Sequence, residues 1–219
     1  MKFYLVRHGK TQWNLEGRFQ GANGDSPLLE EAIEELEELG QYLSSIHYLS
    51  SIHFDAVYSS DLGRARDTVN ILNDANSCPK EIHYTPQLRE WALGTLEGCK
   101  IATMQAIYPR QMTAFYQNPL QFKHDMFGAE SLYQTTHRVE SFLRSLTSKN
   151  YDKVLIVGHG ANLTASIRSL LGYQYGSLHY KDKLDNASLT IIETHDFKDF
   201  NCLTWNDKSY LRQEVKMTH

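Results

Sequence analysis

The segment Lys153-Val154-Leu155-Ile156-Val157 constrains the fold of this chain more than any other. Its four consecutive apolar residues, three of them β-branched, show no alternation between a wet and a dry side. They therefore read as a strand covered on both faces, which requires helices above and below a sheet. The run breaks at Gly158-His159-Gly160, and a helix is expected from about Asn162 to Leu171. Phe3-Tyr4-Leu5-Val6 and Asp55-Ala56-Val57-Tyr58-Ser59-Ser60 read as further strands. The helical spacing of Ile33, Leu36, Leu39 and Leu43 predicts a helix from Leu29 to Ile46, and a second helix is expected from Leu62 to Ala75. Residues 130–149 place Leu132, Val139, Phe142, Leu143 and Leu146 on one helical face, and Ser188 to Thr194 reads as another strand. This alternation predicts an α/β fold, a three-layer α/β/α sandwich with a mostly parallel central sheet. Residues 98–128 break the pattern, with Tyr108, Phe115, Tyr116, Phe122 and Phe127 set between Pro109 and Pro119. They read as a small, mostly helical, lid-like insertion over the strand ends. The alternative is that its aromatic residues pack a core of their own.

At 219 residues, with no Pro/Gly/Ser-rich linker, the chain reads as one domain spanning 1–219. Its net charge of −4 argues against a large basic face for nucleic acid or an anionic membrane. An anionic ligand would need positive charge concentrated locally. Cys78, Cys99 and Cys202, odd in number and widely spaced, form neither a disulfide framework nor a metal-binding pair, so a reducing, cytoplasmic setting is expected. The apolar run near Met1 is too short for a secretion signal, and no stretch approaches membrane-spanning length. The glutamates of 30–38 are read as a solvated helix face. The tandem copy of Leu43-Ser44-Ser45-Ile46-His47-Tyr48 in Leu49-Ser50-Ser51-Ile52-His53-Phe54 reads as a lengthened connection, its two histidines explained by duplication without a metal. The oligomeric state is left open.

The predicted strands deliver their polar residues to one place. The first ends in Arg7 and His8, the second in Ser60, Asp61 and, one helical turn on, Arg64, and the later one in His159. Open α/β sheets bind ligands beyond the carboxyl ends of their strands. Two arginines and two imidazoles converging there suit a compact dianion, because the planar guanidinium donates paired hydrogen bonds to phosphate oxygens.

These residues fall in an ordered series of motifs: Arg7-His8-Gly9-Lys10-Thr11-Gln12-Trp13-Asn14; Arg18-Phe19-Gln20-Gly21 with Asp25-Ser26-Pro27-Leu28; Ser60-Asp61-Leu62-Gly63-Arg64-Ala65 with Thr68; Leu88-Arg89-Glu90 with Gly94, Glu97 and Gly98; Val157-Gly158-His159-Gly160; and Asn186-Ala187-Ser188. The series resembles the histidine phosphatase superfamily, the phosphoglycerate mutase-like proteins, over nearly the whole chain. The departures are Lys10, which would add positive charge beside a phosphate; Leu29 and Ala32, which leave helix capping to Ser26 or Asp25; and Gly63, early in a helix.

The resemblance implies a phosphomonoester hydrolase of the histidine acid type working through a phosphohistidine. His8 is then the candidate nucleophile, since a neutral imidazole nitrogen can attack phosphorus and divide one displacement into two. Arg7, Arg64 and a protonated His159 are expected to hold the equatorial oxygens, with Asn14 adding a neutral donor. Gln20, Gly21 and Gly160 are the remaining expected substrate-binding positions. Glu90 is the candidate general acid and base; Glu97 is its rival, otherwise a solvated or helix-starting carboxylate. No metal and no cofactor are expected, and the expected partner is a small phosphomonoester, with an apolar or ring-bearing part suggested by the aromatic insertion. The short insertion without a triple proline favours a phosphatase over a cofactor-dependent phosphoglycerate mutase. A phosphate-binding regulatory module with weak turnover is the reading from another class. A nucleotide-binding oxidoreductase lacks the third glycine of its loop, and a metal hydrolase lacks HExxH or paired-carboxylate spacing.

Overall fold

The protein is described here by a computed structural model covering residues 1–45, 52–75, 79–178 and 183–211. Strand β1 (Lys2–Arg7) leads into a short helix α1 (Gln12–Leu15) and the long helix α2 (Glu30–Ser45). Strand β2 (Ala56–Ser60), helix α3 (Gly63–Asp74) and strand β3 (Ile82–Thr85) follow. The insertion holds α4 (Ile101–Ile107) and α5 (Pro109–Gln117), followed by two 3₁₀ turns. Then come α6 (Leu132–Ser145), β4 (Lys153–Gly158), α7 (Gly160–Leu170), β5 (Leu189–Glu193) and β6 (Asn201–Asp207).

The strands form one mixed six-stranded sheet in the order β3-β2-β4-β1-β5-β6. Pairings among β3, β2, β4 and β1 are parallel, while β5 is antiparallel to both β1 and β6. Alternation along the two central strands sorts the core into layers, because successive side chains leave a strand on opposite faces. Phe3, Leu5, Val154 and Ile156 pack with Val139, Phe142, Leu163 and Ile167 of α6 and α7. Tyr4, Val6, Leu155 and Val157 pack instead with Leu36, Leu39, Val69 and Leu72 of α2 and α3. The expected three-layer α/β sandwich is thus the observed one.

Strands β1 and β4 are neighbours in register from Lys2↔Lys153 to Arg7↔Gly158, yet the helices that follow them lie on opposite faces of the sheet. The chain therefore parts at the carboxyl ends of these two strands and leaves a crevice, the place where doubly wound sheets take ligands.

The sequence reading assigns neither edge strand. β3 is four residues long and β6 is half exposed along its length, so neither shows the apolar run that marked the central strands. Residues 46–51, which hold half of the tandem repeat including His47, and Cys78 lie outside the described residues. Among the described residues no helix is long and apolar enough to cross a membrane. Neither Ser26 nor Asp25 caps α2: the Ser26 hydroxyl accepts from the Trp13 N–H (3.0 Å), and Asp25 pairs with Arg64 (2.8 Å).

In the insertion, Phe115, Phe122 and Phe127 are buried with Trp91, Leu96, Met112 and Leu132 in a third cluster separate from the two sheet layers. Phe122 stacks on Phe127 at 5.5 Å and meets Trp91 edge to face. Most of the aromatic residues are accordingly consumed by the insertion's own core rather than presented to a ligand.

Candidate active site

The crevice at the ends of β1 and β4 is a cleft of about 140 Å³, open to solvent, lined among others by Arg7, His8, Asn14, Gln20, Gly21, Arg64, Glu90 and Gly160. Parallel pairing carries one residue past the strands, so the His8 N–H donates to the Gly158 carbonyl (3.0 Å) and the rings of His8 and His159 lie 5.2 Å apart.

His8 is buried. Its Nδ1 lies 2.7 Å from the Gly9 carbonyl oxygen, which can only accept, so Nδ1 carries the proton. Burial, and after it the charges of Arg64 and Arg7, hold His8 well below the ordinary histidine value of 6.5. The ring is therefore neutral with a bare lone pair on Nε2. Gly9 is itself anchored, its N–H donating to the Thr68 hydroxyl (3.0 Å).

Arg7 and Arg64 are held by carbonyl oxygens. Arg7 donates from Nη1 to Leu184 (2.6 Å). Arg64, 1% exposed despite its place in a helix, donates from Nη1 to the Gly24 carbonyl and Asp25 and from Nη2 to the Gly21 carbonyl, each at 2.8 Å. The Nε–H of each arginine is buried with no hydrogen-bond partner among the described residues. Unpaired buried donors of this kind call for a ligand acceptor.

His159 donates or accepts through Nε2 at the Ser60 hydroxyl (2.8 Å). Burial, followed chiefly by the charges of Arg64 and Arg7, pushes it well below 6.5, so without an anion it is neutral. The expected protonated form thus depends on a dianion arriving beside it. Gly160 opens α7 where a β-carbon would come 2.8 Å from Arg7 Nε, so the residue is glycine because the guanidinium lies against its backbone.

The Glu90 carboxylate accepts the N–H groups of Asn162 (2.7 Å), Trp91 (2.9 Å) and Ala161 (3.0 Å). The first turn of α7 thereby fixes it at the cleft, with its backbone tied down by the Asn162 amide donating to the Arg89 carbonyl (2.8 Å). Asp61, which ends β2 as expected, does not reach the cleft. It forms a two-pronged pair with Arg89 (2.7 Å each), and those hydrogen bonds lower its carboxyl from its ordinary value. That pair steadies the residue next to Glu90.

Asn14 completes the capping box that Thr11 opens on α1, its Oδ1 accepting from the Thr11 N–H (3.1 Å) and from Asn186 (3.2 Å), which leaves its amide nitrogen for the cleft. Gln20 lines the cleft, but its amide is spent inside the loop, donating to the Thr11 hydroxyl (2.9 Å) and accepting from Ser26 (3.3 Å). Gly21 has φ +66° and contributes the carbonyl that Arg64 uses. Lys10 pairs with Glu31 on α2 (2.9 Å) and is absent from the cleft wall, contrary to the expectation that it adds charge beside the phosphate site.

Glu97 is neither solvated nor a helix start. Its carboxylate accepts the N–H groups of Leu93 (2.9 Å), Asn23 (3.0 Å) and Ala22 (3.1 Å), and so braces the loop whose carbonyls hold Arg64. Sequence reasoning also passed over three contributors. Asn186 donates to the carbonyls of His8 (3.0 Å) and Gly9 (3.3 Å), although only its motif was noticed. Lys183 and Tyr116 face each other across the cleft mouth, with Lys183 Nζ 3.8 Å from the ring centre. No motif marks Lys183, which lies on a connection far along the chain from Tyr116. Among the described residues no group of three or more His, Cys, Asp or Glu side chains is arranged to hold a metal ion.

Comparison with known proteins points to one family. The family described as Histidine phosphatase superfamily (branch 1) matches residues 3–208. A metal-independent phosphoserine phosphatase of Arabidopsis thaliana is 32% identical over 213 residues, 94% of this chain and 82% of that protein. A Salmonella paratyphi C protein named "Probable phosphoglycerate mutase GpmB" is 34% identical over 197 residues, 88% of this chain and 85% of its own. The solved structure of Bacillus stearothermophilus YhfR superposes with a TM-score of 0.84 at 28% identity, covering 96% of this chain and 99% of that one. With the matching span including every residue of the crevice, this chain belongs to the histidine phosphatase superfamily, branch 1.

Proposed function

We propose that the protein hydrolyses phosphomonoesters through a phosphohistidine formed on His8. One observation carries this reading: a neutral imidazole with a bare Nε2 shares a cleft with two arginines whose buried Nε–H groups have no hydrogen-bond partner among the described residues. In the first step Nε2 attacks phosphorus while the ester P–O bond breaks, and the leaving oxygen takes a proton from Glu90. In the second, water attacks the phosphohistidine and gives a proton to Glu90 as the N–P bond breaks, returning His8 and releasing phosphate. Arg7, Arg64, Asn14 and His159, which takes up a proton from solvent once the dianion is beside it, hold the three equatorial oxygens throughout. Gln20 and Gly21 serve by shaping the loop that positions Arg64, and Gly160 by giving Arg7 room. The insertion at 98–128 roofs the cleft through Phe115 and Tyr116.

The metal-independent phosphoserine phosphatase among the relatives supports hydrolysis without a metal. The relative with a mutase name supports the second reading, transfer between positions of a phosphoglycerate. A panel of phosphomonoesters assayed with EDTA, beside a phosphoglycerate mutase assay, separates them. Hydrolysis is expected to proceed in EDTA at the wild-type rate. His8→Ala is expected to abolish it together with acid-labile phosphate incorporation on the protein; activity retained in His8→Ala rejects the nucleophile.

A further inference from the structure

The cleft carries more positive charge than one phosphate needs, with Lys183 added to Arg7 and Arg64 in its lining. Lys183, on the connection between α7 and β5, lines the cleft with its ammonium over the Tyr116 ring at 3.8 Å. It forms no ion pair with a carboxylate among the described residues, whereas Arg18, the other cation at the mouth, is occupied by Glu16 (2.5 Å) and the Gly98 carbonyl (2.9 Å). The residue keeps part of its surface open while its ammonium packs on Tyr116 in the cleft lining, so a ligand can reach it. Lys183 lines the same cleft as Arg7 and Glu90, the proposed proton donor of the leaving oxygen.

We propose that Lys183 is a specificity-determining residue whose ammonium receives a carboxylate carried by the leaving group of the phosphomonoester. This rests on the reading of the cleft as a phosphomonoesterase site. The chemistry favours a carboxylate because a single ammonium stands outside the phosphate-holding set, and it matches a singly charged group. Tyr116 fixes the ammonium in place by cation–π attraction and so reduces the ordering needed on binding. Desolvation and, after it, repulsion from Arg7 lower the Lys183 ammonium to about 8. An anion beside it relieves that repulsion, so a substrate with a carboxylate gains where a neutral one does not.

The test uses esters that differ in the carboxylate alone: O-phosphoserine against O-phosphoethanolamine, and 3-phosphoglycerate against glycerol 3-phosphate. The ratio of kcat/KM within each pair is the readout. Lys183→Met is expected to lower the ratio about tenfold or more, chiefly through KM of the carboxylate-bearing ester. Lys183→Arg, which keeps the charge, is expected to recover most of it. A merely structural role would slow both members of a pair alike and leave the ratio unchanged. Hydrolysis of both esters with an unchanged ratio in Lys183→Met overturns the assignment and leaves the His8 chemistry standing. Hydrolysis of neither ester by the wild-type protein overturns the cleft reading and this inference with it.

Discussion

The residues of the crevice owe their chemistry to neighbours that do not touch the ligand. His8 is a bare-Nε2 imidazole because the Gly9 carbonyl takes its Nδ1 proton, and Gly9 is in turn held by Thr68. Arg64 is aimed by loop carbonyls that Glu97 braces. Gly160 against Arg7 is another such dependence. In Gly160→Ala the new methyl group would press on the guanidinium, which must move by a fraction of an ångström to an ångström. We expect kcat/KM to fall on the order of 10²-fold, while the fold is retained, since alanine suits a helix better than glycine. Kinetics set beside a thermal melt checks this; wild-type kinetics would show that Arg7 has slack the geometry does not suggest. The sequence named Arg7, His8, Arg64, Glu90 and His159 through motifs. It could not tell that Glu97 is a brace or that Lys10 turns away to Glu31, because both depend on loops meeting across the fold.

At the level of elements, α7 does two things at its N-terminus. It follows His159 directly, and its first N–H groups hold the Glu90 carboxylate, so proposed acid and proposed phosphate ligand are set by one helix. The insertion is a second such unit. Phe122 is buried against Phe115, Phe127 and Trp91, so Phe122→Ala is expected to destabilise the protein by about 3–5 kcal/mol. Urea denaturation measures this directly. A loss below about 1 kcal/mol would mean that these aromatic residues are not a core and are available to ligands after all. Helical spacing and proline breaks made the insertion legible as helical. They did not show which aromatic ring faces the cleft, because that is decided by how α5 rotates against Trp91 and Leu132.

On the scale of the whole molecule, the net charge of −4 conceals a buried positive site. Arg7, Arg64 and His8 line one cleft, His159 is buried beside His8 with the ring centres 5.2 Å apart, and burial with the arginine charges keeps both imidazoles harder to protonate in the folded chain than in the unfolded one. Below the ordinary histidine value of 6.5 the unfolded chain therefore binds more protons. Stability is expected to fall as pH drops through that value, and this contribution is absent above it. Phosphate, which favours the charged form of His159, should reduce the fall. Thermal melts between about pH 7 and pH 5, with and without phosphate, test this. A midpoint independent of pH in His8→Gln/His159→Gln would assign the effect to these two residues; an unchanged slope in that variant would place it elsewhere.

By itself the sequence determined the layered α/β architecture, since continuous apolar strands have to be covered on both faces, and it named the residues at the strand ends. Those are local facts: periodicity, strand composition and a few residues beside a break. The edge strands escaped because short, half-exposed segments bury too little to leave a pattern. Tertiary structure alone decided which polar residues meet. It brought Lys183 to Tyr116, Glu97 to the Gly21–Asn23 turn and Asn186 to His8, pairs separated by many residues whose contact comes from parallel pairing of β1 with β4 and from loops folding over it. Register and loop packing are non-local, so no local pattern records them.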